Sequence, residues 1–431
     1  MALLKKTNRF TNLILGLVYA IVYHYVYTNY MHEYFSYMYC PSSAPINEIF
    51  SYYLVFAATP LLFYKGFNSL ASGLSFMVYT LMYIPMIYVT FIANIEQETM
   101  YFVIMSLYIF IIACFKLDQR RLYKKQWSKR SIVPFYYVEI ATLIIIVFVL
   151  LIEGRSLKFV NILSQSDLMY DMRASYSSSR LAITGYLISW LKTAFLPLLL
   201  VYYLQSRNWK KYILILIAYL IMFMLDMQKV TFVMPYVISL VYFVAVRPNF
   251  ARRFHIYILG FFSFFSCTLV ATISNLLSYS IAAIFIMRMQ CLDSWIFSLY
   301  LDFFESHPYT YYSHISIVNA ITHSYPYKDA LGVAVTEGSM NANASFLVTD
   351  GYAAMGIIGI FIIGIIFIIL KSIFNSIDLK YNRNLVILTL FPAISAMLNV
   401  SLFTAIFSCG FLILYFIYMF VDLKQFALNE K

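Results

Sequence analysis

Residues 350–370 read DGYAAMGIIGIFIIGIIFIIL, an apolar run whose only charge stands at its first position. At about 1.5 Å per residue a helix of this length crosses the ~30 Å hydrocarbon core of a bilayer. A backbone in lipid finds no water, so it must satisfy its own hydrogen bonds, and a helix is the available solution. This run decides the fold because it is not alone. Similar stretches recur at 13–30, 47–64, 73–93, 100–115, 133–152, 186–204, 212–227, 230–246, 255–273, 384–400 and 402–421. The chain reads as an all-α polytopic integral membrane protein, with about twelve transmembrane helices in a single transmembrane domain, 1–431.

Composition agrees. Of 431 residues 62% are hydrophobic and 11% charged, where a soluble domain carries roughly 25% charged residues. The net charge of +11 raises the question of nucleic acid, but its placement answers it. With both termini on the cytoplasmic side, most basic residues, including the KLDQRRLYKKQWSKR stretch at 116–130, fall on inner segments. That is the positive-inside pattern, with contact to anionic lipid, and it calls for no nucleic-acid partner. Five scattered cysteines give neither a disulfide framework nor a zinc site.

Two outer segments are long, 153–185 and 274–349, and the second includes an apolar stretch, 281–304. Arg288, Asp293 and Asp302 make that stretch costly to insert, and Gln290, Ser294, Ser298 and Asp302 share one i, i+4 stripe. It is expected to lie on the outer surface as an amphipathic helix. The 40 tyrosines and 39 phenylalanines suit sugar stacking, but they also fill the interfacial belts of membrane proteins.

Long loops between spans need a purpose, because short turns suffice as connections. The first loop reads SDLMYDMRASYSSSRLAITGYL, 166–187, and places Arg173 and Arg180 seven apart, on one face if helical. Arginine suits a diphosphate through its planar, always protonated fork. The same residues could equally pair with Asp171 or lipid phosphates. The second loop holds Arg288 and three of the six histidines, His307, His314 and His323. Their spacing matches no metal motif, so no metal and no cofactor is expected. A histidine titrating near neutrality can act as a general base or orient a phosphate, although in loops it more often only holds a hydrogen bond. Asp350 is placed to cap the helix that follows, and Gly351, Gly356, Gly359 and Gly364 suit close helix packing. No nucleotide-binding or hydrolase motif occurs.

The order of these elements resembles a known family. Outer-loop arginines are followed by IMRMQCLDSWIFSLYLDFFESHPYTYYSHIS, 286–316, and then by NANASFLVTDGYAAMGIIGIF, 341–361. This is similar to the Wzy-type oligosaccharide repeat-unit polymerases of O-antigen synthesis. In that family an arginine precedes a Tyr/Asp-Phe-Phe element, a Ser-His pair follows a tyrosine-rich stretch, and an Asn/Asp-Gly-Tyr-Ala segment opens a late span. The similarity covers about 274–360, more weakly 173–185. There are departures: some members show an arginine and a glycine separated by ten residues in each large loop, whereas here Arg173 and Gly185 are separated by eleven and Arg288 has no such glycine.

The resemblance implies a membrane-glycosyltransferase-like fold in a Gram-negative inner membrane, the two large loops being periplasmic. It implies an enzyme that joins undecaprenyl-diphosphate-linked oligosaccharides, the growing chain acting as donor, with a chain-length regulator and a flippase as partners. Arg173, Arg180 and Arg288 would clamp diphosphates, His314 would act on the acceptor hydroxyl, and Asp350 would organise the site. Two alternatives stay open: an O-antigen ligase using the same donor, and a lipid-linked oligosaccharide flippase or transporter.

Overall fold

The structure is a computed structural model that describes residues 9–36, 49–93, 95–120, 133–158, 176, 180–273, 276–377 and 380–427. It is mostly helical, at 79%. Among the described residues eight helices are long and apolar enough to cross a membrane: Arg9–Phe35, Leu70–Ile92, Gln97–Lys116, Tyr136–Ser156, Ala182–Gln205, Phe250–Ala271, Ser278–Ser306 and Leu347–Phe374. Shorter apolar helices cover Phe50–Leu62, Lys229–Ala245, Arg383–Ala396 and Phe411–Phe420. The chain is thus an all-α protein of the polytopic membrane type.

Three elements differ from the sequence reading. The run expected over 402–421 is two helices, Leu402–Phe407 and Phe411–Phe420. Gly410, at φ +78°, divides them, and a Cβ there would stand 2.7 Å from Cβ of Ala194. The stretch 281–304 does not present its polar stripe to an open surface. Gln290, Ser294 and Ser298 are buried, and only Asp302 of the four is exposed. The stripe is internal because its groups find internal partners: Gln290 Nε2 donates to Ser266 Oγ at 2.6 Å, and Ser294 Oγ pairs with Tyr23 OH at 3.0 Å. Buried polar groups that are hydrogen-bonded carry little penalty.

The third difference decides the site. Leu347–Phe374 is not one straight helix. Met355 and Gly356 leave the helical region, Gly356 at φ +61° and ψ −137°. A Cβ on Gly359 would fall 2.0 Å from the carbonyl oxygen of Gly351. In a continuous helix those residues would be ~12 Å apart, so the chain reverses here and forms a tight helical hairpin. The spanning length therefore belongs to the second limb, after Gly356.

The chain divides into two compact units. The first comprises Met1–Leu122, Ala251–Ile373 and Met397–Leu402. Its core is Leu70–Ile92, wholly buried among Arg9–Val26, Ile49–Ala58, Gln97–Lys116 and Leu292–Ser306. Tyrosines tie it together rather than lining an interface. Tyr19, Tyr79 and Tyr83 are fully buried and donate to the carbonyls of Thr80, Ala57 and Phe56 at 3.0, 2.7 and 2.8 Å.

The second unit comprises Tyr123–Phe250, Phe374–Ala396 and Phe403–Lys431. Leu196–Gln205, Lys229–Ala245 and Arg383–Ala396 pack mutually. A short parallel pairing of Val133–Pro134 with Val421–Asp422 fastens its C-terminal segment. Lys192 reaches Asp226 Oδ2 at 2.6 Å and Gln228 Oε1 at 2.7 Å, where Met227, at φ +52°, separates two helices.

Candidate functional site

The site grows from the hairpin. Its first limb, Leu347–Tyr352, is a π-helical turn that carries Asp350 with its side chain fully buried. Such turns widen the helix by one residue and free a backbone position, which is why they recur at functional sites. Asp350 does not cap its own helix. Its Oδ2 accepts the backbone N–H of Leu402 at 2.6 Å, and its Oδ1 lies 3.2 Å from Nε2 of His314.

His314 is delivered by the tyrosine-rich stretch 309–314. Tyr311 and Tyr312 adopt left-handed conformations, φ +48° and +64°, which side-chain-bearing residues seldom take. The turn is pinned to the hairpin, since Thr310 N–H donates to Ala353 O and Tyr311 N–H to Ala354 O, both at 2.9 Å. Tyr309 fits against the reversal itself: a Cβ on Gly356 would meet its hydroxyl at 2.8 Å. Thr310 Oγ1 lies 2.8 Å from His314 Nδ1 and 3.1 Å from the Ala353 carbonyl.

The hydrogen-bond inventory constrains this chain. A carboxylate only accepts, so Nε2 of His314 carries a proton towards Asp350. The single Thr310 hydroxyl proton goes either to Nδ1 or to the Ala353 carbonyl. In the first case the ring is neutral; in the second both ring nitrogens donate and the ring is an imidazolium. The two arrangements differ by one proton, so the same three side chains accommodate the ring with or without it. Beside it, the Tyr312 hydroxyl is buried and has no hydrogen-bond partner among the described residues. Burial, and then the Asp350 charge, push its pKa up, so it stays a neutral donor.

Of the residues singled out from sequence, His314 and Asp350 come into direct contact. Arg288 stands exposed on a second π-helical stretch, Ala283–Cys291. Arg180 belongs to the second unit, where its guanidinium lies over the Tyr176 ring at 5.6 Å and against Gly185, whose added Cβ would be 2.9 Å from it. The glycine therefore makes room for Arg180. Arg173 lies outside the described residues. His307 stacks on Phe303 at 3.9 Å and His323 ends a short helix, neither of them bonded to Asp350. Among the described residues no group of histidine, cysteine and acidic side chains could hold a metal ion.

Sequence reasoning missed Thr310, Tyr312 and Asp293. Thr310 stands four before His314, which on a turn places the two together; the tyrosine pattern gave no sign of which hydroxyl would be left unpaired. Asp293 is buried and accepts Ser345 N–H at 2.8 Å, tying Leu292–Ser306 to the approach to the hairpin.

Compared with protein-family models, with characterised proteins and with solved structures, the chain finds no match.

Proposed function

We propose that this protein is a metal-independent membrane glycosyltransferase that joins undecaprenyl-diphosphate-linked oligosaccharide repeat units, an O-antigen polymerase working at the periplasmic face of a bacterial inner membrane. The observation that carries the reading is the buried Thr310–His314–Asp350 chain with the unpartnered Tyr312 hydroxyl beside it. A buried histidine–carboxylate chain also serves proton-coupled transporters, and the long polar segment that delivers His314 is what favours an enzyme here.

In the proposed reaction the acceptor's hydroxyl oxygen bonds to the anomeric carbon of the growing chain's reducing-end sugar. The bond from that carbon to the diphosphate oxygen breaks, and the electron pair leaves with undecaprenyl diphosphate. Asp350 holds the Nε2 proton of His314, which makes Nδ1 the basic nitrogen. Thr310 passes its hydroxyl proton to Nδ1, takes the acceptor's proton in exchange and turns that proton to the Ala353 carbonyl. Tyr312 donates to an acceptor oxygen and orients it. Arg288 stabilises the charge gathering on the leaving diphosphate.

Deletion of the gene in its host, with lipopolysaccharide read on a gel, tests this. Core bearing a single repeat unit, restored to a ladder by the wild type but not by Arg288→Ala or His314→Ala, is the expected result. Core lacking any repeat unit would overturn polymerisation in favour of a ligase or a flippase. An outward-facing pool of lipid-linked units then marks the ligase and an inward-facing pool the flippase.

A further inference from the structure

We propose that the second unit carries a binding cavity for a phosphate-bearing anion, independent of the glycosyl-transfer reading. It is a half-open cleft of about 510 Å³ where Leu196–Gln205 and Lys229–Ala245 finish and Arg383–Ala396 begins, and both of its arginines are exposed to solvent. Arg207 and Arg247 both line it, and no carboxylate does. Among the described residues neither guanidinium is in an ion pair.

The uncharged lining points the same way. Tyr242 donates its hydroxyl to Gln205 Oε1 at 2.8 Å, which consumes the acceptor of that amide and leaves its NH₂ to donate. Asn382 Oδ1 accepts the Asn384 N–H at 3.0 Å, so its NH₂ is likewise left to donate. Asn384 donates its own amide to the Ala245 carbonyl at 3.0 Å and fixes the rim. The lining thus offers two cations and two amide donors. A ligand with several anionic oxygens matches that set, and arginine forks bind such groups with paired hydrogen bonds. Arg207 also holds a left-handed backbone, φ +55°, at a helix C-terminus where glycine is usual.

A bias of charge across a membrane needs only basic residues. It needs neither a concave polar lining nor amides turned to donate. Because three apolar helices end at this level, the anion can come from a phospholipid headgroup or from soluble phosphate.

The test uses the full-length protein purified in detergent. Native mass spectrometry compares retention of phosphatidylglycerol and phosphatidylcholine, and thermal unfolding is followed with added inorganic phosphate. The wild type should retain the anionic lipid, or be stabilised by phosphate, with the double variant Arg207→Gln/Arg247→Gln weaker by roughly tenfold or more, the effect of losing a charge-assisted hydrogen bond. Lipid retention with no phosphate response identifies a headgroup site; a phosphate response without lipid retention identifies a soluble ligand. Arg252→Gln/Arg253→Gln removes the same charge from equally exposed positions outside the cleft and should change neither. The proposal is overturned if the cavity variant binds as the wild type does, if the control variant loses as much, or if the wild type responds to neither probe. Should the double variant fail to fold, Arg247→Gln alone, beyond the helix end, gives the same comparison.

Discussion

His314 and Asp350 are 36 residues apart in the chain and 3.2 Å apart in space, and the same carboxylate also holds the Leu402 backbone N–H. Asp350 thus serves two masters, one structural and one chemical. Replacing it by asparagine separates them. The amide oxygen can still accept from Leu402, but its NH₂ now faces a ring N–H. We expect Asp350→Asn to cost about 1–3 kcal/mol and to lower polymer formation by roughly 10²-fold or more, the usual contribution of a positioned acid–base group. Polymer yield is read against the unfolding midpoint in detergent. Full activity in the asparagine variant would remove His314 and Asp350 from the chemistry.

Tyr312→Phe makes the opposite separation. The Tyr312 hydroxyl is buried and bonds to nothing among the described residues, so removing it should leave stability unchanged or slightly raised, since an unmet polar group costs about 1–3 kcal/mol. Polymer formation should nevertheless fall. A variant that is stable and fully active would show that this hydroxyl does not meet the substrate.

The glycines of the hairpin rank themselves by what an added methyl group would strike. Gly359→Ala drives a Cβ to 2.0 Å from a backbone carbonyl, which cannot move aside. Gly356→Ala meets the Tyr309 hydroxyl and an unfavourable φ of +61°, worth about 1–3 kcal/mol. Gly364→Ala meets only the Phe110 ring. Unfolding midpoints should therefore fall in the order Gly359, Gly356, Gly364, and an equal response at all three would argue against the reversal at Gly356.

How much of this was legible beforehand follows from what each residue answers to. The spans were readable because apolar length answers only to bilayer thickness, and seven of the eight long helices coincide with expected runs. The stretch 281–304 was misjudged because its polar stripe was weighed against water, whereas Ser266 and Tyr23 supply its partners from distant parts of the chain. The glycines of 351–364 were rightly tied to close packing, but spacing alone could not show that Gly356 reverses the chain. His314 and Asp350 were visible as residue types in order. The third member, Thr310, and the role of Gly185 under Arg180 depend on tertiary proximity that no local pattern carries.

Asp118 gives a pH test outside the spans. Its carboxyl is buried, and burial raises its pKa to about 6 against the opposing charges of Lys371 and Lys65. Between about pH 4 and 6 the folded state therefore binds more protons than the unfolded state, and stability falls as pH rises through that window. Asp118→Asn should flatten this part of the curve. The unfolding midpoint between pH 4 and 7 measures it, and an unchanged slope would assign the titration elsewhere.

The Lys192–Asp226 pair tests the second unit by itself. Asp226 accepts from Lys192, from Thr231 Oγ1 at 2.9 Å and from the Gln228 N–H at 2.9 Å, and its side chain is only 3% exposed. Asp226→Ala leaves a largely buried ammonium with Gln228 Oε1 as its one remaining partner among the described residues and strands two neutral donors, and a broken buried ion pair costs about 3–5 kcal/mol. Lys192→Met leaves the carboxylate with its two neutral donors and fills the space with an apolar chain, so it should cost clearly less. The asymmetry is the expected outcome in unfolding measurements of the two variants. Equal, small losses would mean that solvent reaches the pair and screens it, and that the break at Met227 is held by backbone packing alone.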